Sequence, residues 1–410
     1  MNETRPLLRN SPNSSDGVCF SFFRLSISLT LICFVLVRIH KHHVRTAPLH
    51  QTSNTHHRTI IRPGQIFYDT DGEPINAHGG GFLYYNNTYY WYGEIKSGNT
   101  YLPEANADWG GTRVDLVGIS CYASNNLVEW RKCSTFNVLP AVFNDVSSDL
   151  YYKNVAERPK VVYNGMTGKF VMWLHVDSMD YSRARCGVAV ADCPEGPFQY
   201  LYSLRPNARE WPTGTSDETE MEMPSEIVRN YEEGQMARDL TLFVDDGKAY
   251  LFTSSEDNGV LHVSMLRDDY LSTTGQFARI FVGRYTEAPT VFKRDDGKYY
   301  FIGSGCTAWN PNAAQSAVAS SVWGDWTELG NPCRDSGEGY CNTTFHSQSS
   351  FVIRVPAFNN SDEASFIYAG DRWKPDNLSD SRYVWLPITF EEDTGYPIVR
   401  WLDEWSIDIV

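Results

Sequence analysis

Two carboxylates stand at matching points of the chain. Asp239 lies in Ala237-Arg238-Asp239-Leu240-Thr241-Leu242-Phe243, ahead of Asp245-Asp246-Gly247-Lys248. Glu287 lies in Thr286-Glu287-Ala288-Pro289-Thr290-Val291-Phe292, ahead of Asp295-Asp296-Gly297-Lys298. An acid entering an apolar strand is costly to bury unless it is hydrogen-bonded or functional. Either residue alone reads equally as a capping or edge carboxylate. At the same step of two consecutive repeats they read as a pair. Paired carboxyls suit cleavage of a glycosidic bond, where one protonates the leaving oxygen and the other activates water or attacks carbon. Two more acids stand at strand ends: Glu94 closes TYYWYGE, and Glu157 begins Glu157-Arg158-Pro159-Lys160. A solvated loop for Glu94 and a surface pair with Arg158 for Glu157 are the alternatives. The acidic run Asp217–Glu226 reads as an exposed insertion without chemistry.

The elements that would position these acids recur along residues 60–410. A turn rich in Asn, Asp and Gly precedes a strand of aromatic and apolar residues, and a second strand follows. The copies are Asn86–Glu94, Gly168–Asp177, Gly247–Glu256, Gly297–Gly305 and Ala364–Asp371. Their followers are Val117–Tyr122, Cys186–Ala191, Val260–Met265, Gln315–Ser321 and Tyr383–Ile388. Helical periodicity is absent over long stretches. Five antiparallel units predict an all-β, five-bladed β-propeller, with a double β-sandwich as the alternative. In a propeller, corresponding strand ends converge on one axis, so acids from different repeats would share one pocket. The 24 Tyr, 21 Phe and 12 Trp suit β-strands and also sugar-ring stacking.

The first 59 residues differ. Leu25–Val37 is apolar and flanked by Arg24, Arg38 and Lys41. It predicts a short transmembrane signal-anchor, with residues 1–24 cytosolic and 38–59 a His-rich polar stem; a cleaved signal peptide is the alternative. Seven of the nine cysteines follow it, and Cys121/Cys133, Cys186/Cys193 and Cys333/Cys341 are spaced for local bridges, leaving Cys306 unpaired. Sequons begin at Asn86, Asn342, Asn359 and Asn377. These features predict a lumenal body. A net charge of −15 argues against a nucleic-acid partner. No phosphate loop, nucleotide fingerprint, Ser-His-Asp arrangement or metal-ligand spacing is present, so no cofactor or metal is expected.

These segments resemble glycoside hydrolase family 43, over nearly all of residues 60–410. The resemblance implies a five-bladed propeller and an inverting mechanism. Glu287 would be the general acid, and Asp239 the residue that modulates its pKa and orients it. A narrower resemblance is to the exo-β-1,3-galactanase branch and its plant Golgi members. Ala77-His78-Gly79-Gly80-Gly81 stands where most of the family has a catalytic-base Asp. His346-Ser347-Gln348-Ser349 places Gln348 where the branch carries a Gln in place of that base. Glu157-Arg158-Pro159-Lys160 resembles a sugar-binding motif of the branch.

The resemblance makes Glu94 and Glu157 ligands of a terminal galactose. It adds Tyr181, Asn258, Thr307 and Trp309 to the pocket and Trp373 as a stacking platform, with a core role for Trp373 as the alternative. It implies exo-acting release of galactose from β-1,3-galactan, in arabinogalactan-type glycans, by a type II Golgi membrane protein. Gln348 is a poor proton acceptor, so water positioning by Gln348, an amide tautomer, and a base role for Glu94 or Glu157 all stand open. Another family 43 activity (α-L-arabinofuranosidase or β-xylosidase) and a non-catalytic glycan-binding propeller are the rival readings.

Overall fold

The computed structural model describes residues 60–103, 111–215, 223–334, 340–357 and 364–407. The predicted tail, anchor and stem lie outside these residues. Among the described residues no helix is long and apolar enough to cross a membrane.

Five antiparallel sheets form the body. Blade one comprises His78–Tyr85, Thr88–Glu94, Gly118–Ser124 and Arg131–Lys132, with Leu139–Pro140 pairing its third strand. Blade two comprises Val155–Asn164, Lys169–Asp177, Arg185–Ala191 and Gln199–Leu204. Blade three comprises Leu240–Asp245, Lys248–Ser255, Val260–Leu266 and Thr273–Ile280. Blade four comprises Thr286–Lys293, Tyr299–Gly305, Gln315–Ala319 and Thr327–Gly330. Blade five comprises Gln348–Val355, Ser365–Arg372, Arg382–Phe390 and Pro397–Val399. The first strand of each blade touches the first strands of its two neighbours, in a closed ring. The fold is therefore a five-bladed propeller, not a double sandwich. Ile60–Ile61 pairs antiparallel with Trp405–Ser406, tying the two ends of the body together.

The hairpins follow from turn chemistry. Asn86 and Asn87, and likewise Asp246 and Gly247, take positive φ, as a two-residue turn between twisted strands requires. The middle strands are buried on both faces. Lys169–Asp177, for example, is buried at every position but its first. Apolar side chains from neighbouring blades interlock between the sheets. Trp91 and Trp130 of blade one meet Trp385 of blade five, with ring centroids 4.9 Å (Trp91) and 6.0 Å (Trp130) from it. Such pairs each add about 0.5–1.5 kcal/mol beyond area burial.

One irregularity matters for the site. The inner strands of blades one, two, four and five each shift register near their entrance, after His78, Glu157, Glu287 and Ser349. In three of them the residue after the shift begins is left-handed: Gly79 (φ 57°), Arg158 (φ 54°) and Ala288 (φ 51°). A bulge re-aims the preceding side chain. Here the re-aimed side chains of Glu157 and Glu287 reach the axial cavity.

Of the predicted bridges, Cys333–Cys341 is formed. Cys121 and Cys133 are free thiols with sulfurs 3.2 Å apart. The predicted Cys186–Cys193 bridge is not formed. Cys186 is a free thiol that faces the packed interface of blades two and three, fully buried.

Candidate active site

The entrances of the inner strands and the far ends of the second strands enclose a cavity of about 300 Å³. Its wall includes Glu94, Glu157, Tyr181, Asp239, Asn258, Glu287, Trp309, Gln348 and Trp373, all singled out from sequence. Thr307 is the exception. It is exposed, outside that wall, and its hydroxyl donates to Asn310 O (2.6 Å) within its own loop. Arg158, His175, Asp180, Arg238, Cys306 and Ala308 line the cavity without having been predicted.

On one side stand Asp239 and Glu287. Burial, then the charge of Asp239, pushes Glu287 up to about 7. Glu287 Oε1 accepts from Asn258 Nδ2 (3.0 Å) and from the Cys306 thiol (3.1 Å). Asp239 Oδ2 accepts the Ala288 N–H (2.9 Å) and pairs with Arg158 Nη2 (3.1 Å). Asp239 therefore acts on Glu287 in two ways. Its charge disfavours ionisation, and its hydrogen bond holds the backbone next to Glu287.

The opposite side holds Glu94 and Glu157. Lys96, itself buried, reaches Glu94 Oε2 (2.8 Å) and Glu157 Oε1 (3.1 Å). Burial raises Glu94 to about 8 against the pull of Lys96, higher than Glu287. Burial also opposes ionisation of Glu157, but Lys96 and His175 outweigh it and hold its pKa low. Tyr181 donates to Glu157 Oε1 (3.1 Å). His175 Nε2 bonds Asp177 Oδ2 (2.9 Å), and its Nδ1 lies 3.8 Å from Glu157 Oε2. Burial disfavours the imidazolium, yet Asp177 and Glu157 raise His175 to about 9. Gly79 makes room for Glu94, since a Cβ there would sit 2.5 Å from Glu94 Oε1. Trp309 and Trp373 meet edge to face (4.8 Å), and Lys96 Nζ lies 4.7 Å from the Trp309 ring centre. Both indole N–H groups are used within the protein, Trp309 on Thr112 O (2.7 Å), but Trp373 is the more buried ring, so Trp309 offers more of its surface.

Gln348 is locked. Its Oε1 accepts from Arg158 Nη2 (2.6 Å) and Trp373 Nε1 (2.9 Å). Both groups only donate, so the amide orientation is fixed by its partners. Gln348 Nε2 meets Ser304 Oγ (3.0 Å), leaving one N–H. With both oxygen lone pairs engaged, Gln348 presents a donor to the cavity. Positioning through that N–H is open to it; accepting a proton at Oε1 is not, while these bonds stand.

His78, where a base Asp was absent from the sequence, does not line the cavity. Its Nδ1 bonds Asp371 Oδ1 (2.9 Å), and its ring stacks on Tyr383 (4.8 Å). Asp371 also accepts from Gly79 N (3.1 Å) and Ser350 Oγ (2.7 Å).

The unpredicted residues left uneven signals. His175 and Asp177 are polar members of an otherwise apolar strand, on the same face. Cys306 was the cysteine without a partner. Arg158 and Lys96 carried no signal that separates a buried cation from a surface one.

The family model for glycosyl hydrolases family 43 matches residues 81–348. A sequence search of curated proteins returned no match. Among solved structures, a family 43 β-1,3-galactosidase determined with galactodeoxynojirimycin is 39% identical with a TM-score of 0.74, covering 85% of this chain and 100% of that one. An exo-β-1,3-galactanase from Clostridium thermocellum is 36% identical with a TM-score of 0.69, covering 85% and 67%. An exo-β-1,3-galactanase from Phanerochaete chrysosporium, determined with β-1,3-galactotriose, is 30% identical with a TM-score of 0.66, covering 85% and 68%. The chain belongs to glycosyl hydrolase family 43 and is a glycoside hydrolase.

Proposed function

We propose that the protein is an exo-acting, inverting hydrolase that releases galactose from the ends of β-1,3-galactan chains. The observation that carries this reading is the two-sided cavity. Glu287, raised to about 7 beside Asp239, faces two buried carboxyls joined by Lys96 and backed by an aromatic wall. Its volume of about 300 Å³ lies at the small end for ligand sites, suited to a terminal sugar rather than a long chain segment. Galactose as that sugar is supported by the β-1,3-galactosidase and exo-β-1,3-galactanases at 30–39% identity.

In this mechanism Glu94, Glu157 and Tyr181 hold hydroxyls of the terminal galactose. Glu287 gives its proton to the glycosidic oxygen as the bond from that oxygen to the anomeric carbon breaks. Asp239 keeps Glu287 protonated and its backbone in place. A water, oriented by the free N–H of Gln348, forms the new bond to the anomeric carbon on the opposite face. The adduct of water with an oxocarbenium-like centre is strongly acidic, so it gives up its extra proton readily to solvent. A strong base is not required, although its absence forgoes part of the 10²–10⁴-fold that general-base catalysis contributes. Arabinogalactan-type chains are the proposed natural substrate.

We also propose a type II Golgi anchor at residues 25–37, with the propeller lumenal. The Cys333–Cys341 bridge and the exposed sequon asparagines Asn86, Asn342 and Asn377 support an oxidising, glycosylating compartment. Protease protection of the propeller in sealed microsomes tests this, and cleavage without detergent contradicts it.

The catalytic reading is tested by NMR of products from β-1,3-galactooligosaccharides. Release of single galactose units, first seen as the α anomer, is the expected result. A β-anomer product contradicts inversion, larger products contradict exo action, and binding without release favours the glycan-binding reading.

A further inference from the structure

We propose that Cys306 and Asn258 are positioning residues that assign the acid proton to one oxygen of Glu287, Oε2. The proposal rests on the reading of Glu287 as general acid. Glu287 opens blade four after a register shift, with the left-handed Ala288 behind it. Cys306 follows the second strand of the same blade, and Asn258 follows the second strand of blade three. Asn258 Nδ2 and the Cys306 thiol both point at Oε1, at 3.0 and 3.1 Å. Asn258 Nδ2 also lies 3.4 Å from Cys306 Sγ, so the three groups form a closed triangle. Among the described residues no hydrogen bond is made to Oε2.

Two donors on one carboxyl oxygen decide where the proton goes. A proton on Oε1 would face the Asn258 N–H, and its nearest acceptor would be the weakly accepting Cys306 sulfur, which would have to give up its own donation. On Oε2 it meets the cavity, where a glycosidic oxygen would lie. The same two donors then stabilise the carboxylate left after transfer, so neither protonation state needs a new partner. The orientation of Asn258 agrees. Its Oδ1 is buried and without a partner. Turned over while Oε1 is unprotonated, as in the carboxylate left after transfer, the amide would set two acceptor oxygens against each other at about the present 3.0 Å contact.

The thiol also explains why a cysteine serves without a disulfide. Sulfur is a weak donor, so it orients Glu287 without greatly favouring the anion. The charged and titratable groups acting on Glu287 are Asp239, which raises its pKa, and Cys306, Arg158 and Arg238, which lower it. Burial in turn raises the thiol pKa to about 11, so Cys306 stays protonated and able to donate.

The test is the pH dependence of kcat/KM for wild type, Cys306→Ala and Cys306→Ser. Each is measured on β-1,3-galactobiose and on a dinitrophenyl β-galactoside, whose leaving group needs no proton. The wild-type basic limb on galactobiose should vanish on the aryl substrate. If it persists there, the acid reading of Glu287 fails, whatever Cys306 does. If it vanishes, Cys306→Ala should move the galactobiose limb upward and lower kcat several-fold with little change in KM. Cys306→Ser, which retains a donor, should hold the limb at or below the wild-type position. Alanine and serine limbs that both superimpose on wild type overturn the proposal.

Discussion

The cavity holds two carboxylate pairs, and they differ in where the cations sit. Glu94 and Glu157 share one buried ammonium, Lys96, and His175 stands behind Glu157. Among the described residues no cation contacts both Asp239 and Glu287. Arg158 pairs with Asp239, whereas Glu287 receives only the neutral donors of Asn258 and Cys306. In the first arrangement burial still raises Glu94 to about 8, while Lys96 and His175 hold Glu157 low. The second leaves one carboxyl raised to about 7, with an oxygen free to carry a proton. A raised carboxyl therefore stands on each side, and Glu287 is set apart by its pairing with Asp239 and neutral donors in place of a buried ammonium.

The comparison can be broken most severely at Arg158. Its guanidinium joins Asp239, Gln348 Oε1 and Ser349 O, so it links the acid side to the water side. Arg158→Met leaves the partly buried Asp239 without its cation, at a cost in folding stability of up to about 3–5 kcal/mol, the range for breaking a fully buried pair. A fall in kcat of at least about a hundredfold is expected. The basic limb of kcat/KM should also move upward, because Arg158 favours the Glu287 carboxylate. Steady-state kinetics across pH measure both effects.

Lys96→Met sharpens the contrast. Removing the ammonium disturbs the hydroxyl-binding pair alone. KM should rise by roughly 10–100-fold, as expected for losing hydrogen bonds to a charged group. The basic limb should stay in place, since Lys96 is not among the main influences on Glu287. Movement of that limb would show that the two pairs are coupled.

The smallest effect is expected at Ala288, whose left-handed backbone sets the bulge behind Glu287. Glycine accepts this conformation freely, and an alanine there is strained by about 1 kcal/mol. Ala288→Gly should raise the unfolding free energy by up to about that amount with little change in kcat. Denaturant titration measures it.

Much of this arrangement was legible in sequence. The second strands carry apolar or aromatic runs, as in Lys169–Asp177 and Tyr299–Gly305, because they are largely buried on both faces. The outer strands left little pattern; Thr327–Gly330 and Arg131–Lys132 are short and largely exposed. Asp239 and Glu287 were readable because they repeat at one step of two blades. Arg158 was not, because a charged residue at a strand entrance reads the same on the surface or on the axis. Its left-handed backbone is a tertiary effect, imposed by the bulge. Thr307 was placed in the pocket by resemblance, yet its hydroxyl is engaged within its own loop. Cys186 and Cys193 are close in sequence, but Cys186 lies on a strand face turned into the core.

The central claim is that Glu287 supplies the proton to the leaving oxygen, and Glu287→Gln on two substrates tests it most directly. On β-1,3-galactobiose kcat should fall by roughly 10²–10⁴-fold. On a dinitrophenyl β-galactoside most of the rate should survive. With the acid raised to about 7, the reactive form is protonated, so wild-type kcat/KM on galactobiose should be full below that pH and decline above it. Equal losses on both substrates, or activity on galactobiose close to wild type, would contradict the account.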